Sequence, residues 1–392
     1  MLDYRFLLYY LLKNKRAEVK KSLNIVADEN MPHIENLFGE FANISKLPGR
    51  EITPDDVKHA DAVLCRSITQ IDQTLLQNSK VQFVGTATIG IDHLDTAWLN
   101  DNNITWSSAA GCNAAAVAQY VISAICYWLK NAEPQKELQD IKVGIIGAGN
   151  VGSELARCLD ILGIEYLLSD PPLQKNGDKR KLVSIDKLLT CDVITLHVPI
   201  SRHGKDSTFH MIDEIFLKKL STSQVLINAA RGEVVDNLAL VNYLKSESAA
   251  AVVLDVFENE PNINFELAKL CLLSTPHIAG HTLEGKLRGS YLIYQAFCRH
   301  FELPIQIEQD ALFPKQNTLQ ASEQTEIEVL LSMYDINKDV QKLLSFSGDG
   351  LGLHFDQLRK NYVAGFGDFA RRDYSGWLLE NIQHKTIERL VG

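Results

Sequence analysis

Ile141-Lys142-Val143-Gly144-Ile145-Ile146-Gly147-Ala148-Gly149-Asn150-Val151-Gly152 is the stretch on which the fold of this chain turns. Its first half is an apolar run that reads as a buried strand. Its second half is a Gly-x-Gly-x-x-Gly turn that opens a helical stretch over 153–162. Gly147 permits the tight turn, Gly149 lets the backbone approach a pyrophosphate, and Gly152 lets helix and strand pack closely. The helix N-terminus that follows Asn150 and Val151 offers N–H donors and a positive dipole end to phosphates. The next strand, 165–168, ends at Ser169-Asp170, where a carboxylate accepts hydrogen bonds from a ribose. Asp170 would also repel the extra phosphate of NADP, and Pro171-Pro172 supplies no arginine to offset it. NAD is therefore the expected cofactor.

On both sides of this turn, short β-branched runs alternate with helical stretches, the pattern of parallel sheets in an α/β fold. Residues 23–27, 62–65 and 81–85 read as strands of a first unit. A long, alanine-rich helix follows over 113–130. Strands at 142–146, 165–168, 193–196, 225–227 and 252–254 make a second unit, as continuous apolar runs suited to burial on both faces. The expected fold class is α/β, with two Rossmann-like doubly wound parallel-sheet domains facing a cleft. From residue 303 the chain is richer in Gln, Glu and Lys and carries Gly348-Asp349-Gly350-Leu351-Gly352. A smaller C-terminal α+β domain is expected there, over 303–392.

The 392 residues are 46% apolar and 22% charged, the balance of a globular protein with a buried core. A net charge of −10 argues against non-specific nucleic-acid binding or an anionic membrane partner, which both require a basic surface. The cysteines (Cys65, Cys112, Cys126, Cys158, Cys191, Cys271, Cys298) are scattered without CxxC spacing. Reduced thiols in a cytoplasmic protein are expected, with neither a metal site nor a disulfide framework. The apolar run 6–12 precedes the basic run 13–21, the reverse of a signal peptide, and is far short of a membrane span. Residues 1–22 read as an N-terminal extension.

Three segments after strands carry the polar residues. Asn228-Ala229-Ala230-Arg231-Gly232-Glu233 follows 225–227, and Asp255-Val256-Phe257-Glu258-Asn259-Glu260-Pro261 follows 252–254. Thr275-Pro276-His277-Ile278-Ala279-Gly280 follows the apolar run 271–273. In parallel sheets ligands sit at the carboxyl ends of strands, so all three can converge. Oxidising a 2-hydroxy acid requires a cation for the carboxylate and the forming carbonyl, which suits the arginine fork. It requires a base near neutrality, which suits histidine, and a carboxylate to orient that base. Arg231, His277 and Glu260 fill these roles. Taken singly, each has a bland alternative: a surface ion pair, a helix-start residue, a solvated loop carboxylate. In the first unit Arg66-Ser67 follows the strand 62–65, and Thr86 and Thr88 follow the strand 81–84. A guanidinium, hydroxyls and loop N–H groups are the donors a phosphate requires. The competing reading is a surface ion pair for Arg66, with the hydroxyls capping local turns.

These loops and the glycine turn resemble the D-isomer-specific 2-hydroxyacid dehydrogenases over about residues 23–300. The resemblance implies an Arg–Glu–His catalytic set and a substrate-binding domain made of 23–112 with a returning segment 281–302. It implies an NAD-binding domain over 113–280. Residues 27–32, 65–69, 83–90, 111–113, 282–286 and 358–362 are similar to one branch of that family. Its members oxidise a phosphorylated four-carbon 2-hydroxy acid on the route to pyridoxal phosphate and carry their own C-terminal dimerisation domain, so a homodimer is implied. By this resemblance Ser67 and Thr88 fall at substrate-binding positions. Val198, Ala229, Ala230, Arg231, Asp255 and Gly280 join Asp170 at NAD-binding positions. His281 stands where a substrate-contacting tyrosine is usual, and its imidazole can still donate a hydrogen bond. The alternatives are another member of the family, such as a 3-phosphoglycerate dehydrogenase, or a non-catalytic NAD-sensing interaction protein. Intact Arg231, Glu260 and His277 argue against the last.

Overall fold

The computed structural model describes residues 23–132, 136–321, 324–362, 370–380 and 384–391. The expected N-terminal extension lies outside the described residues. The chain divides into two compact units. One holds the described residues up to Cys112 with Lys286–Phe313, and the other holds Asn113–Gly285 with the described residues from Pro314.

The first unit is built on five parallel strands: β1 (Leu23–Asp28), β2 (Ala42–Leu47), β3 (Ala62–Cys65), β4 (Phe83–Thr86) and β5 (Thr105–Ser108). Their order is β2-β1-β3-β4-β5. Every residue of β3 and β4 is buried, as their unbroken apolar sequences require, while the edge strands β2 and β5 are polar and partly exposed. Phe38, Phe83, Tyr294 and Phe297 fill one face, and Val63, Val84 and Leu99 fill the other. The helical residues 286–300 lie against β4, where a Cβ on Gly85 would come within 2.4 Å of the Ile293 side chain. Glycine at 85 is what lets helix and strand approach.

The second unit has six parallel strands: β6 (Lys142–Ile146), β7 (Glu165–Ser169), β8 (Val193–Leu196), β9 (Val225–Asn228), β10 (Ala251–Leu254) and β11 (Leu273–Ser274). They run in the order β11-β10-β9-β8-β6-β7. Helices α1 (Ala114–Lys130) and α2 (Asn150–Leu162) cover one face. In each sheet the chain steps to one side of its first strand and then crosses to the other. The carboxyl ends of β1 and β3, and of β6 and β8, are therefore topological switch points, where ligands bind in open α/β sheets.

The described residues from 303 on are shared between the two units, up to Phe313 in the first and from Pro314 in the second. Leu312 belongs to the core of the first unit. Beyond it, strands β12 (Asn317–Gln320) and β13 (Trp377–Glu380) pair in parallel. Val329, Leu330, Ile336 and Ile387 are buried in the same core as Val121, Ile125, Leu155 and Leu159. These apolar side chains pack with those of α1 and α2, while Leu343 and Phe355 join the core on the other face of the sheet. The polar composition read as a boundary reflects the outer faces of these late helices. Burial also pushes the Cys65 and Cys158 thiols up to about 12, too high for a nucleophile near neutrality. Among the described residues no helix is long and apolar enough to cross a membrane.

Candidate active site

At the glycine turn, two of the three glycines are required by the protein's own packing. Gly147 has φ +97°, and a Cβ there would lie 2.4 Å from the His197 carbonyl and 3.0 Å from Val198 Cγ1. A Cβ on Gly152 would lie 2.0 Å from the Gly147 carbonyl oxygen. Gly149 is different, because a Cβ there would meet nothing within 4 Å. It caps α2 without a side chain, leaving the first-turn N–H groups of Asn150, Val151 and Gly152 open. Bare backbone beside open space at a helix N-terminus fits a dinucleotide pyrophosphate.

Asp170 follows β7 and accepts from two backbone N–H groups, Ala148 N at 2.9 Å and Leu173 N at 3.0 Å. It thus ties the glycine turn to the strand that carries it. Sequence reasoning missed Arg180. Its guanidinium pairs with Asp178 at 2.7 Å and donates to the Ala148 carbonyl at 2.9 Å and to Ser153 Oγ at 2.7 Å, with the Asp170 charge a weaker influence on it. With Asp170 as the expected ribose acceptor, Asp170→Ala removes that acceptor together with the charge that would repel the extra phosphate of NADP. Hydrogen bonds to charged groups contribute roughly 1.5–3 kcal/mol, so NAD affinity should fall about ten- to a hundredfold and NADP turnover should rise. Titration of both cofactors checks this, and unchanged discrimination would remove Asp170 from the cofactor site.

The three polar loops leave the adjacent strands β9, β10 and β11. Arg231 follows β9 in extended backbone, its carbonyl held by Asn228 Nδ2 at 2.9 Å. One guanidinium nitrogen of Arg231 donates to the Ala230 carbonyl at 2.8 Å. A Cβ on Gly232 would fall 1.9 Å from the Phe257 carbonyl oxygen, so only glycine lets this loop lie on the next. Asn237, which sequence reasoning also missed, locks the same pair of loops. Its amide donates to the Val235 carbonyl at 2.9 Å and accepts from Glu258 N at 3.1 Å.

Glu260 and His277 meet directly, with His277 Nδ1 2.6 Å from Glu260 Oε2. Glu260 Oε1 accepts from Phe257 N at 2.9 Å. Burial pushes the Glu260 carboxyl up, but the His277 charge and hydrogen bond, the Phe257 N–H and the Arg359 charge outweigh it. The group lies below the ordinary carboxylate range. His277 has φ +54°, in the left-handed region that non-glycine residues rarely adopt. Its N–H donates to the Asp255 carbonyl at 2.7 Å. The Asp255 carboxylate is buried and accepts from Thr275 Oγ1, Ile278 N and Ala279 N at 2.7, 2.8 and 2.9 Å. Both its oxygens therefore hold the histidine loop. A Cβ on Gly280 would strike the Asn113 amide at 2.1 Å. His281 is half-buried, edge-on to the Tyr362 ring at 6.3 Å.

In the first unit, Arg66 Nε lies 3.2 Å from Asp28 Oδ2 at the switch point between β1 and β3. Asp28 is fully buried while the Arg66 side chain is partly exposed, so the pair lies at the edge of the interior. Ser67 beside it is exposed. The Thr88 hydroxyl donates to the Gly90 carbonyl at 3.0 Å and lies 2.7 Å from Thr86 Oγ1, which reaches His93 at 2.9 Å. Its hydrogen is thus already committed within the loop. Lys286 was not singled out for a role. Burial, with the nearby Arg66 charge adding to it, pushes its ammonium down to about 8. A lysine so far along the chain from Arg66 carries no local signal of this pairing.

Residues 112–279 match the family model for the D-isomer specific 2-hydroxyacid dehydrogenase, NAD binding domain. The erythronate-4-phosphate dehydrogenase of Marinobacter nauticus is 43% identical over 350 residues, covering 86% of this chain and 91% of that protein. The one from Tolumonas auensis is 41% identical over 367 residues, covering 92% and 96%. Among solved structures, an NAD+-bound 3-phosphoglycerate dehydrogenase of Entamoeba histolytica superposes with a TM-score of 0.62. It is 24% identical, covering 73% of this chain and 99% of that one, a likeness of fold. The glycine turn, the three loops and similarity above 40% identity over most of the chain agree: the chain belongs to the erythronate-4-phosphate dehydrogenases, within the D-isomer specific 2-hydroxyacid dehydrogenases.

Proposed function

We propose that this chain oxidises 4-phospho-D-erythronate to (R)-3-hydroxy-2-oxo-4-phosphooxybutanoate, a step in pyridoxal phosphate synthesis. The observation that carries the chemistry is the 2.6 Å bond between His277 Nδ1 and Glu260. With Nδ1 donating to the carboxylate, Nε2 of the neutral ring is left as the acceptor for the C2 hydroxyl proton. NAD, when bound along the Gly147–Gly152 turn, Asp170 and Val198, supplies the hydride acceptor. Arg231 holds the substrate carboxylate and stabilises the charge on the C2 oxygen as the carbonyl forms. Glu260 holds the imidazole in its tautomer and favours the imidazolium once the proton has arrived.

Arg66 and Ser67, with Lys286 nearby, are the group in this reading that receives the 4-phosphate. Support comes from two cations brought together at a switch point, with one buried carboxylate orienting only Arg66 Nε. Such a surplus of positive charge suits a dianion. Homodimerisation through the C-terminal segment belongs to the same reading and rests on its resemblance to that branch of the family.

The test is side-by-side turnover of 4-phosphoerythronate, 3-phosphoglycerate and unphosphorylated erythronate. The first should have the highest kcat/KM. Arg66→Ala should lower kcat/KM for the phosphorylated acid about ten- to a hundredfold, the worth of a charge-assisted hydrogen bond of roughly 1.5–3 kcal/mol. Erythronate turnover should barely change, since it lacks the partner group. Equal loss on both substrates would make Arg66 structural, with Asp28 as its only task.

A further inference from the structure

Arg371 lies in the C-terminal segment and is only 8% exposed, yet it touches the loop that carries His277. Its Nη1 donates to the carbonyls of Ile278 and Ala279, both at 3.1 Å. Its Nη2 and Nε reach back to α1, donating to the Ala116 carbonyl at 2.7 Å and to Gln119 Oε1 at 3.2 Å. The guanidinium lies 3.7 Å from the centre of the Tyr334 ring, so the cation is covered on one face by an aromatic side chain. Its own backbone carbonyl accepts from Leu283 N at 3.0 Å. The following residue, Arg372, pairs with buried Glu284, whose other oxygen accepts from Asp373 N at 2.9 Å. Arg371 is thus fixed from several sides before it meets the loop.

The loop peptides after His277 are held at both poles. Asp255 takes the N–H groups of Ile278 and Ala279, and Arg371 takes the carbonyls of the same two residues. A buried carboxylate on the donors and a buried guanidinium on the acceptors align with the peptide dipoles, where low polarity strengthens each interaction. The residue immediately before this clamp, His277, sits at φ +54°. Such a conformation persists only where the surroundings over-determine it.

We propose that Arg371 is a positioning residue for the reaction: with Asp255 it clamps residues 278–279 and so sets the seat of the His277 imidazole against Glu260. The C-terminal segment thereby takes part in catalytic geometry. This rests on His277 being the proton-transfer group.

The test uses the full-length enzyme with Arg371→Lys and Arg371→Met, and Leu330→Ala as a control in the same buried core. A misplacement of about 1 Å at reacting groups costs on the order of a hundredfold. Arg371→Met should therefore lower kcat about ten- to a hundredfold, with KM for the phosphorylated acid nearly unchanged and lysine restoring part of the loss. The acidic limb of the pH–rate profile should move to lower pH, because a displaced imidazole loses the Glu260 charge. Leu330→Ala should lower the melting temperature, yet leave kcat and the pH profile of the folded enzyme as they were. If Arg371→Met does not fold, the lysine variant decides alone. Arg371 variants that melt earlier but keep wild-type kcat and pH profile would show a purely structural residue and overturn the proposal. Wild-type turnover by His277→Ala would instead overturn the acid–base reading on which it stands.

Discussion

His277→Ala should lower kcat by about a hundred- to ten-thousand-fold, the usual contribution of a positioned acid–base group. NAD binding should survive, because the glycine turn and Asp170 belong to other strands of the sheet. The bond between His277 and Glu260 adds a second, independent readout. The His277 charge and hydrogen bond help to hold the Glu260 carboxyl below the ordinary carboxylate range, so the two groups interact electrostatically. Glu260→Gln removes the carboxylate charge while keeping an acceptor oxygen for Nδ1. In the oxidation direction the ring must be neutral to take the proton. The acidic limb of the kcat/KM profile of Glu260→Gln should therefore move to lower pH, with a fall in the plateau rate. The profile of folded enzyme, recorded between pH 5 and 9 with saturating NAD, checks both variants. A loss below about tenfold for His277→Ala is too small for general acid–base catalysis. An unshifted limb in Glu260→Gln would separate the pair.

The second large effect is expected at Arg231. A bidentate guanidinium–carboxylate contact comprises two charge-assisted bonds of roughly 1.5–3 kcal/mol each. At 1.36 kcal/mol per tenfold, Arg231→Ala should lower kcat/KM by about a hundred- to ten-thousand-fold. The loss should divide between KM and kcat, since the same cation binds the carboxylate and stabilises the carbonyl oxygen as charge develops. Arg231→Lys keeps a point charge but not the planar fork, so it should recover only a minor part. The neighbouring glycine makes the position specific. A Cβ on Gly232 would run into the Phe257 carbonyl, so the Arg231 loop is seated on the Glu260 loop by backbone contact. Full activity in Arg231→Ala would leave substrate carboxylate recognition to other residues and assign Arg231 to the loop alone.

The strands that carry these residues were legible because burial on both faces leaves a local mark. Val193–Leu196 is apolar but for the β-branched Thr195, and the structure has a strand there with every residue buried. The strand Ala42–Leu47 escaped because Asn, Ser and Lys interrupt it, as an edge position facing water permits. Thr105–Ser108, on the opposite edge, was missed for the same reason. Leu273–Ser274 is too short to show any period. The C-terminal helices were read from their polar faces, which say nothing about the core into which the apolar faces fit.

From the sequence alone came the doubly wound α/β class, the dinucleotide turn with its Asp170, and Arg231, Glu260 and His277 as polar residues following strands. All are local: a glycine pattern, an apolar run, a side chain placed where a strand must stop. Tertiary structure decided which of these groups meet and what holds them. It joined His277 to Glu260 and paired Arg66 with buried Asp28 across a switch point. It set Arg180 beside the glycine turn and carried Arg371 back onto the histidine loop. Such pairings join residues far apart in the chain, and no periodicity records them, because they follow from strand order and from which apolar faces bury one another.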